Sequence, residues 1–405
     1  MQHSISRRSF AAAAALSPLP LLGQRKKRVA AIITEYRHMS HADVIVGRIL
    51  NGYMTNNRRV EPRTEIVSMY TDQVPGNDMS RDLSKKHGFP IYPTIAEALT
   101  MGTGKLAVDA VLLIGEHGNY RENEKGQKMY PRYELFSKIT DVFREQKRGL
   151  PLFNDKHLSY RWDYADAMYK ASRDLKFPFM AGSSIPVTVR YPELEVPLGA
   201  KIGKAVVVGY GGLDAYGFHT LESLQCMVER RGKGETGVAS VEWIEGSAVW
   251  QWRDGAGAWS KPLLDAALAR MSEARPITGR MEDNVKQPVA FLVRYRDGLE
   301  AVAYMLNNHA RGWSVGLDIE GRSEPASCRF GGEPGLRQLA HFDGLVHCIE
   351  EQFVTGKPPL PIERTLLTTG TLAFLFDSRM AKKRIDTPQL AISYRPARDT
   401  FFQRA

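Results

Sequence analysis

The 405-residue chain reads as an α/β domain with a doubly wound parallel sheet, followed by an α+β domain with a mainly antiparallel sheet. Three observations predict this. Up to about residue 182, short continuous apolar runs alternate with amphipathic stretches of helical length, the order that crossover units produce. Residues 185–197 are proline-rich and irregular. Beyond them come runs of alternating polarity and a hairpin turn at Asp297-Gly298.

Residues 28–34 (RVAAIIT) form an unbroken apolar run, as a central parallel strand requires. Ser40, with Asp43 three residues on, resembles a capping box and opens a helix to about Tyr53. Residues 64–71 are the second strand, ending at Asp72. Short helices are expected at 81–87 and from Thr94. Residues 108–115 are the third strand, 130–147 a long amphipathic helix, 151–154 the next strand, 160–175 its helix and 178–182 the last strand. In the second half the expected strands are 205–208, 238–244, 248–253, 289–295, 300–306, 314–319 and, closing, 390–394. The expected helices are 218–229, 334–355 and 362–379, lying against one face of the sheet. These readings divide the chain into a leader (1–26), a Rossmann-like first domain (27–185) and a second domain (186–405).

Composition is that of a folded protein: 43% hydrophobic and 25% charged, without repeats or low-complexity tracts. No apolar run reaches the roughly 18 residues of a membrane span. The net charge is +10, but the one dense basic cluster, Arg25 to Arg28, sits at the leader junction. No basic stripe interleaved with aromatics follows, so a nucleic-acid partner is not expected. Ser6-Arg7-Arg8-Ser9-Phe10, followed by the weakly apolar residues 11–22, matches a twin-arginine export signal and predicts a periplasmic or extracellular protein. Cys226, Cys328 and Cys348 are too few and too scattered for a disulfide framework; they read as buried thiols, with one disulfide left open.

The stretch most informative about chemistry is 150–159 (LPLFNDKHLS). A buried strand ends abruptly in Asn154-Asp155-Lys156-His157, and ligands of open α/β sheets sit at the carboxyl ends of strands. A partly buried Lys156 amine would have its pKa lowered by desolvation, with Asp155 opposing. Glu35, His38 and His41 follow the first strand, and Glu116 and His117 the third, so these groups converge on one cleft. Two readings stand: a metal site for Zn²⁺, Mn²⁺ or Fe²⁺ without a specific ligand spacing, or a polar sugar-binding cleft that includes Asn119, Tyr120, Arg121 and Asn154. Trp243, Trp250, Trp252 and Trp259 either stack on sugar rings or belong to the core.

Several local patterns, in order, resemble the Gfo/Idh/MocA family of glucose-fructose oxidoreductase and inositol dehydrogenase. They are Val108-Asp109-Ala110-Val111, the helix opening Tyr92 to Leu99, Asn154-Asp155-Lys156-His157 in the place of Glu-Lys-Pro, Gly217-Phe218-His219-Thr220-Leu221-Glu222 in the place of G-x-H-x-x-D, the Arg296-Asp297-Gly298 hairpin and Thr355 to Pro361. The resemblance implies NAD or NADP as cofactor and a sugar or polyol as substrate. It implies proton transfer by Lys156 and His219 with Asp155 beside them. It places Arg37, Ser40, Asp72, Glu116 and His117 toward the cofactor and Asn119, Asn154, His157 and Glu222 toward the substrate. It also implies pairing of two copies through the second-domain sheet. The chain departs from the family at its first turn, Glu35 to His41, which has no glycine where a pyrophosphate needs close backbone approach. A non-redox, metal-assisted enzyme and a carbohydrate-binding protein on the same scaffold are the alternatives.

Overall fold

The structure, a computed structural model, describes residues 25–331 and 339–404. The twin-arginine motif and the start of the helix expected from Pro334 lie outside the described residues.

The first sheet has five parallel strands: β1 (Lys27–Ile33), β2 (Thr64–Thr71), β3 (Ala110–Ile114), β4 (Leu152–Asp155) and β5 (Phe179–Gly182), in the order β2-β1-β3-β4-β5. Side chains alternate between its faces. Val29, Ala31 and Ile33 of β1 point to one side, against Ile45 and Ile49 of α1 (His41–Asn51). Ala30 and Ile32 point to the other, against Leu135, Ile139 and Phe143 of α2 (Arg132–Glu145) and Met168 of α3 (Trp162–Asp174). Burial on both faces is why β1 from Val29 and the whole of β3 are apolar. Ser40 caps α1, its Oγ accepting the Asp43 N–H at 3.3 Å.

The second sheet has eight strands. Its labelled members are β6 (Ile202–Gly209), β7 (Val238–Glu245), β8 (Val289–Tyr295), β9 (Glu300–Met305), β10 (Trp313–Ile319) and β11 (Ala326–Phe330), in the order β7-β8-β9-β6-β10-β11. Ile385–Asp386 pairs outside β7 and Arg190–Tyr191 outside β11. All of these pairs are antiparallel except β9 with β6.

Four expectations change. Residues 248–253 are not a strand: Ser247–Asp254 is a helix whose buried residues, Val249 and Arg253, are four apart. Helices cover both faces of the sheet, not one. Lys261–Ala274 lays Leu263, Leu264, Ala267 and Met271 against Val206, Val208 and Val302 on the second face. It lies so close that a Cβ on Gly316 would come within 2.2 Å of the Leu263 carbonyl oxygen. The segment 390–394 keeps an alternating exposure, but only Tyr394 bridges, to Glu235; the sheet's edge is Ile385–Asp386. Lastly, His341–Thr355 packs Phe342, Val346, Ile349 and Phe353 onto the first sheet's core although it lies late in the chain. Ile362–Ala381 then follows, bridging the two layers through Leu366 in the first core and Leu372 and Phe376 in the second. All three cysteines are free and buried. No helix among the described residues is long and apolar enough to cross a membrane.

Candidate functional site

The carboxyl ends of β4 and β5 meet helix α4 (Ala215–Val228) of the second layer, where His157 Nε2 lies 4.0 Å from Asp214 Oδ1 and the Ser183 N–H donates to Glu222. After β4 the chain turns sharply. Lys156 has φ of +63°, a conformation that costs a non-glycine residue about 1 kcal/mol or more, and its N–H donates to the Gly182 carbonyl at 3.0 Å. That turn buries four successive polar residues, Asn154, Asp155, Lys156 and His157, each 3% exposed or less.

Two charge clusters result. In the first, Lys156 Nζ donates to Glu116 Oε1 at 2.8 Å while Arg132, fully buried, holds the other Glu116 oxygen. The Thr34 hydroxyl donates to the Glu116 carbonyl at 2.7 Å and fixes the loop after β3. Burial alone would raise the Glu116 carboxyl, but the Lys156 and Arg132 cations overcome it and hold the acid well below its usual range. Arg132 Nη1 also donates to His157 Nε2 at 3.2 Å. Burial and that guanidinium keep His157 neutral. Asp214, just before α4, is raised to about 6, chiefly by burial.

In the second cluster, His41 Nδ1 meets Asp155 Oδ2 at 2.6 Å. Asp155 Oδ1 has no hydrogen-bond partner among the described residues. The His117 ring lies 5.2 Å from that of His41, and Arg37 Nη2 donates to His117 Nδ1 at 3.3 Å, leaving His117 Nε2 buried and unpartnered. Burial lowers His117 to about 4. His219, on α4, stands beside Trp313 with ring centroids 5.3 Å apart, and its Nδ1 is buried without a partner. Burial first, then the charges of Lys156, His41 and His341, keep it neutral.

Thus Lys156, Asp155, His219, Glu116, His117 and Asn154, whose Oδ1 is also unpartnered, come together. His157 belongs to the first cluster through Arg132. Glu222 is 1% exposed. Glu222 ties the two layers, accepting the Ser183 N–H at 2.9 Å and the Thr368 hydroxyl at 3.2 Å. Burial raises its carboxyl to about 7. Asp72 lies at the cleft mouth, both of its oxygens taken by the Tyr70 and Tyr120 hydroxyls at 3.0 and 2.6 Å. Asn119 is beside it on the surface, its N–H bonded to Gln73. Ser40 serves as the α1 cap, and Arg37 Nε is paired with Glu35 Oε1 at 2.6 Å. No group of three or more His, Cys, Asp or Glu among the described residues is arranged to hold a metal ion. Trp243 is core; Trp252 and Trp259 line a separate cavity of about 330 Å³ on the second sheet's outer side. Sequence reasoning missed Arg132, Asp214 and His341, the last bonded through Nδ1 to the Ser184 hydroxyl at 2.7 Å.

No protein-family model and no curated protein matches the chain. Solved structures do. GenD2 from gentamicin A biosynthesis, in complex with NAD, superposes with a TM-score of 0.56 at 11% identity, covering 92% of this chain and 99% of that one. The scyllo-inositol dehydrogenase from Lactobacillus casei, with bound NAD(H) and scyllo-inositol, gives 0.54 at 10%, covering 89% and 99%. The myo-inositol 2-dehydrogenase from Lactobacillus plantarum gives 0.53 at 11%, covering 89% and 99%. At such identities what is shared is the fold, over nearly the whole length.

Proposed function

We propose that this chain, which carries the two-domain fold of the Gfo/Idh/MocA-type inositol dehydrogenases, is an oxidoreductase acting on a sugar or polyol, with Lys156 and His219 moving the proton of a substrate hydroxyl. Lys156 is the observation that carries this reading. An ammonium 3% exposed at a strand end costs several kcal/mol to desolvate, and packing has no use for it. Glu116 holds the Lys156 ammonium in a low-dielectric setting. That ammonium stabilises negative charge developing on a substrate oxygen. Neutral His219 offers an unpartnered ring nitrogen to the same hydroxyl.

NAD or NADP is proposed as coenzyme from the likeness to NAD-bound dehydrogenases; when bound, it supplies a hydride acceptor. The inner end of the cleft fits such a group, since His117 Nε2 and Asn154 Oδ1 are buried polar atoms awaiting partners. The outer end fits only through side chains. Asp43 fills the first turn of α1, accepting the Met39 N–H at 2.9 Å, where a pyrophosphate would otherwise sit. Arg37 is therefore the residue proposed to meet the phosphates, with Ser40, Glu116, His117 and Asp72 along the rest. Calorimetric titration with NAD(H) and NADP(H) tests this: binding is expected in wild type and at least tenfold weaker in Arg37→Ala. No binding at millimolar nucleotide removes the coenzyme from the proposal.

A second reading, a non-redox enzyme on the same sugar or polyol, is favoured by one specific observation: Asp43 and the tyrosine-bridged Asp72 occupy two of the anchors that a dinucleotide uses. Export by the twin-arginine route is proposed from Arg7-Arg8, and retention of an Arg7→Lys/Arg8→Lys double variant in the cytoplasm is the expected result.

A further inference from the structure

We infer that His41, oriented by Asp155, is a second proton-transfer residue of the cleft, and that it takes a proton from a substrate carbon next to a carbonyl group. The inference rests on the reading of the cleft as a sugar or polyol site, and it does not depend on a coenzyme.

The geometry is that of an oriented base. Asp155 is fully buried, and its one side-chain partner among the described residues is His41 Nδ1, at 2.6 Å. A carboxylate with no other donor fixes the imidazole with its Nδ1–H toward the acid and leaves Nε2 as the reactive nitrogen. The His41 side chain is 13% exposed, so that nitrogen is not sealed in the core. The ring is braced edge-on by Phe342 at 5.0 Å and by His117 at 5.2 Å. It comes from the first turn of α1, its acid from the end of β4, and Lys156 follows that acid directly.

The count of groups points to the chemistry. Removing a hydroxyl proton needs one acceptor, and neutral His219 beside the Lys156 ammonium supplies it. A separate base with its own carboxylate implies a second proton. On a ketone of a sugar or polyol, His41 Nε2 takes the proton from the carbon beside the carbonyl. The C–H electron pair becomes the C=C bond of an enediolate, and the carbonyl oxygen takes the charge. The Lys156 ammonium, held by Glu116, stabilises that oxygen. Returning the proton to the same carbon restores the ketone, so no oxidant or reductant is needed.

The test uses the purified full-length protein in D₂O without nucleotide and, as probe, the inosose formed by oxidising myo-inositol at one carbon. Deuterium uptake beside the carbonyl is followed by NMR, and binding of the probe by saturation transfer. Wild type is expected to exchange. His41→Ala should slow exchange at least 100-fold and recover part of it in added imidazole, which a structural role would not produce. His41→Gln, which keeps the side-chain volume, should be equally slow, and Asp155→Asn should be slow without imidazole rescue. Binding without exchange in wild type, or full exchange in His41→Gln, overturns the inference and leaves the proposed substrate class standing. Absence of binding overturns both.

Discussion

Glu116 is the direct ion-pair partner of two buried cations, Lys156 and Arg132. Glu116→Gln leaves two buried cations unpaired and should cost about 3–5 kcal/mol in denaturant unfolding. Lys156→Met removes the charge and keeps the stem, so it should fold and lose activity. Much of this was legible in the sequence. An acid, an amine and an imidazole at the mouth of a buried strand have no packing role, and Asp155 and Lys156 are each bonded to a side chain from elsewhere in the chain, His41 and Glu116. His157 and Glu222 carried the same signal, and their bonds run to Arg132 and to Ser183 and Thr368, partners that residue type does not reveal. Arg132 gave no signal. It opens an ordinary amphipathic helix, and its partner Glu116 reaches it only because the loop between them folds back.

At the scale of elements, the strands were the most legible; 64–71 is found at its expected limits, with Thr64, Ile66 and Ser68 buried on one face. Residues 247–254 misled because valine and tryptophan suit strands, whereas the buried positions follow a helical turn. The helix Lys261–Ala274 was readable but overlooked: Leu263, Leu264, Ala267 and Met271 share a helical face, and Pro262 sits in its first turn. Two substitutions probe these contacts. Ser40→Ala should cost about 1 kcal/mol through loss of the α1 cap. Gly316→Ala should cost about 1–3 kcal/mol or more, since its methyl meets the Leu263 backbone rather than a side chain free to move. Both are read as shifts in denaturation midpoint with an unchanged m-value.

Across the whole molecule, the cleft is assembled from both layers, and its burial makes stability depend on pH. His117, lowered to about 4, and His341, lowered to about 3, stay neutral in the folded state, as do His157 and His219. In the unfolded chain each takes a proton below about pH 6.5. Unfolding therefore gains protons as pH falls from about 6.5 toward 4, and stability drops by about 1.4 kcal/mol per unit for each group. Glu222, at about 7, acts in the opposite sense: its contribution is present below its ordinary value of 4.5 and is lost as pH rises through 7. Asp214, raised to about 6, acts in the same sense as Glu222; four imidazoles outweigh these two carboxyls, so wild type should unfold at lower denaturant at pH 4.5 than at pH 7. Glu222→Gln should remove the smaller loss between pH 5 and 8, at most about 3 kcal/mol. A flat profile from pH 4.5 to 7 would show that the histidines are solvated.

The layered fold followed from periodicity, and the cleft from where polar residues interrupt it. The cofactor seat did not follow, because a glycine-free turn says what is missing and not what replaces it. Lys156 is the residue on which the proposed chemistry depends. Oxidation of scyllo-inositol and myo-inositol with NAD or NADP, compared between wild type and Lys156→Met of equal thermal stability, measures it directly. Turnover by wild type with kcat/KM at least 100-fold lower in the variant is the predicted result; equal kcat/KM in the two proteins would contradict it.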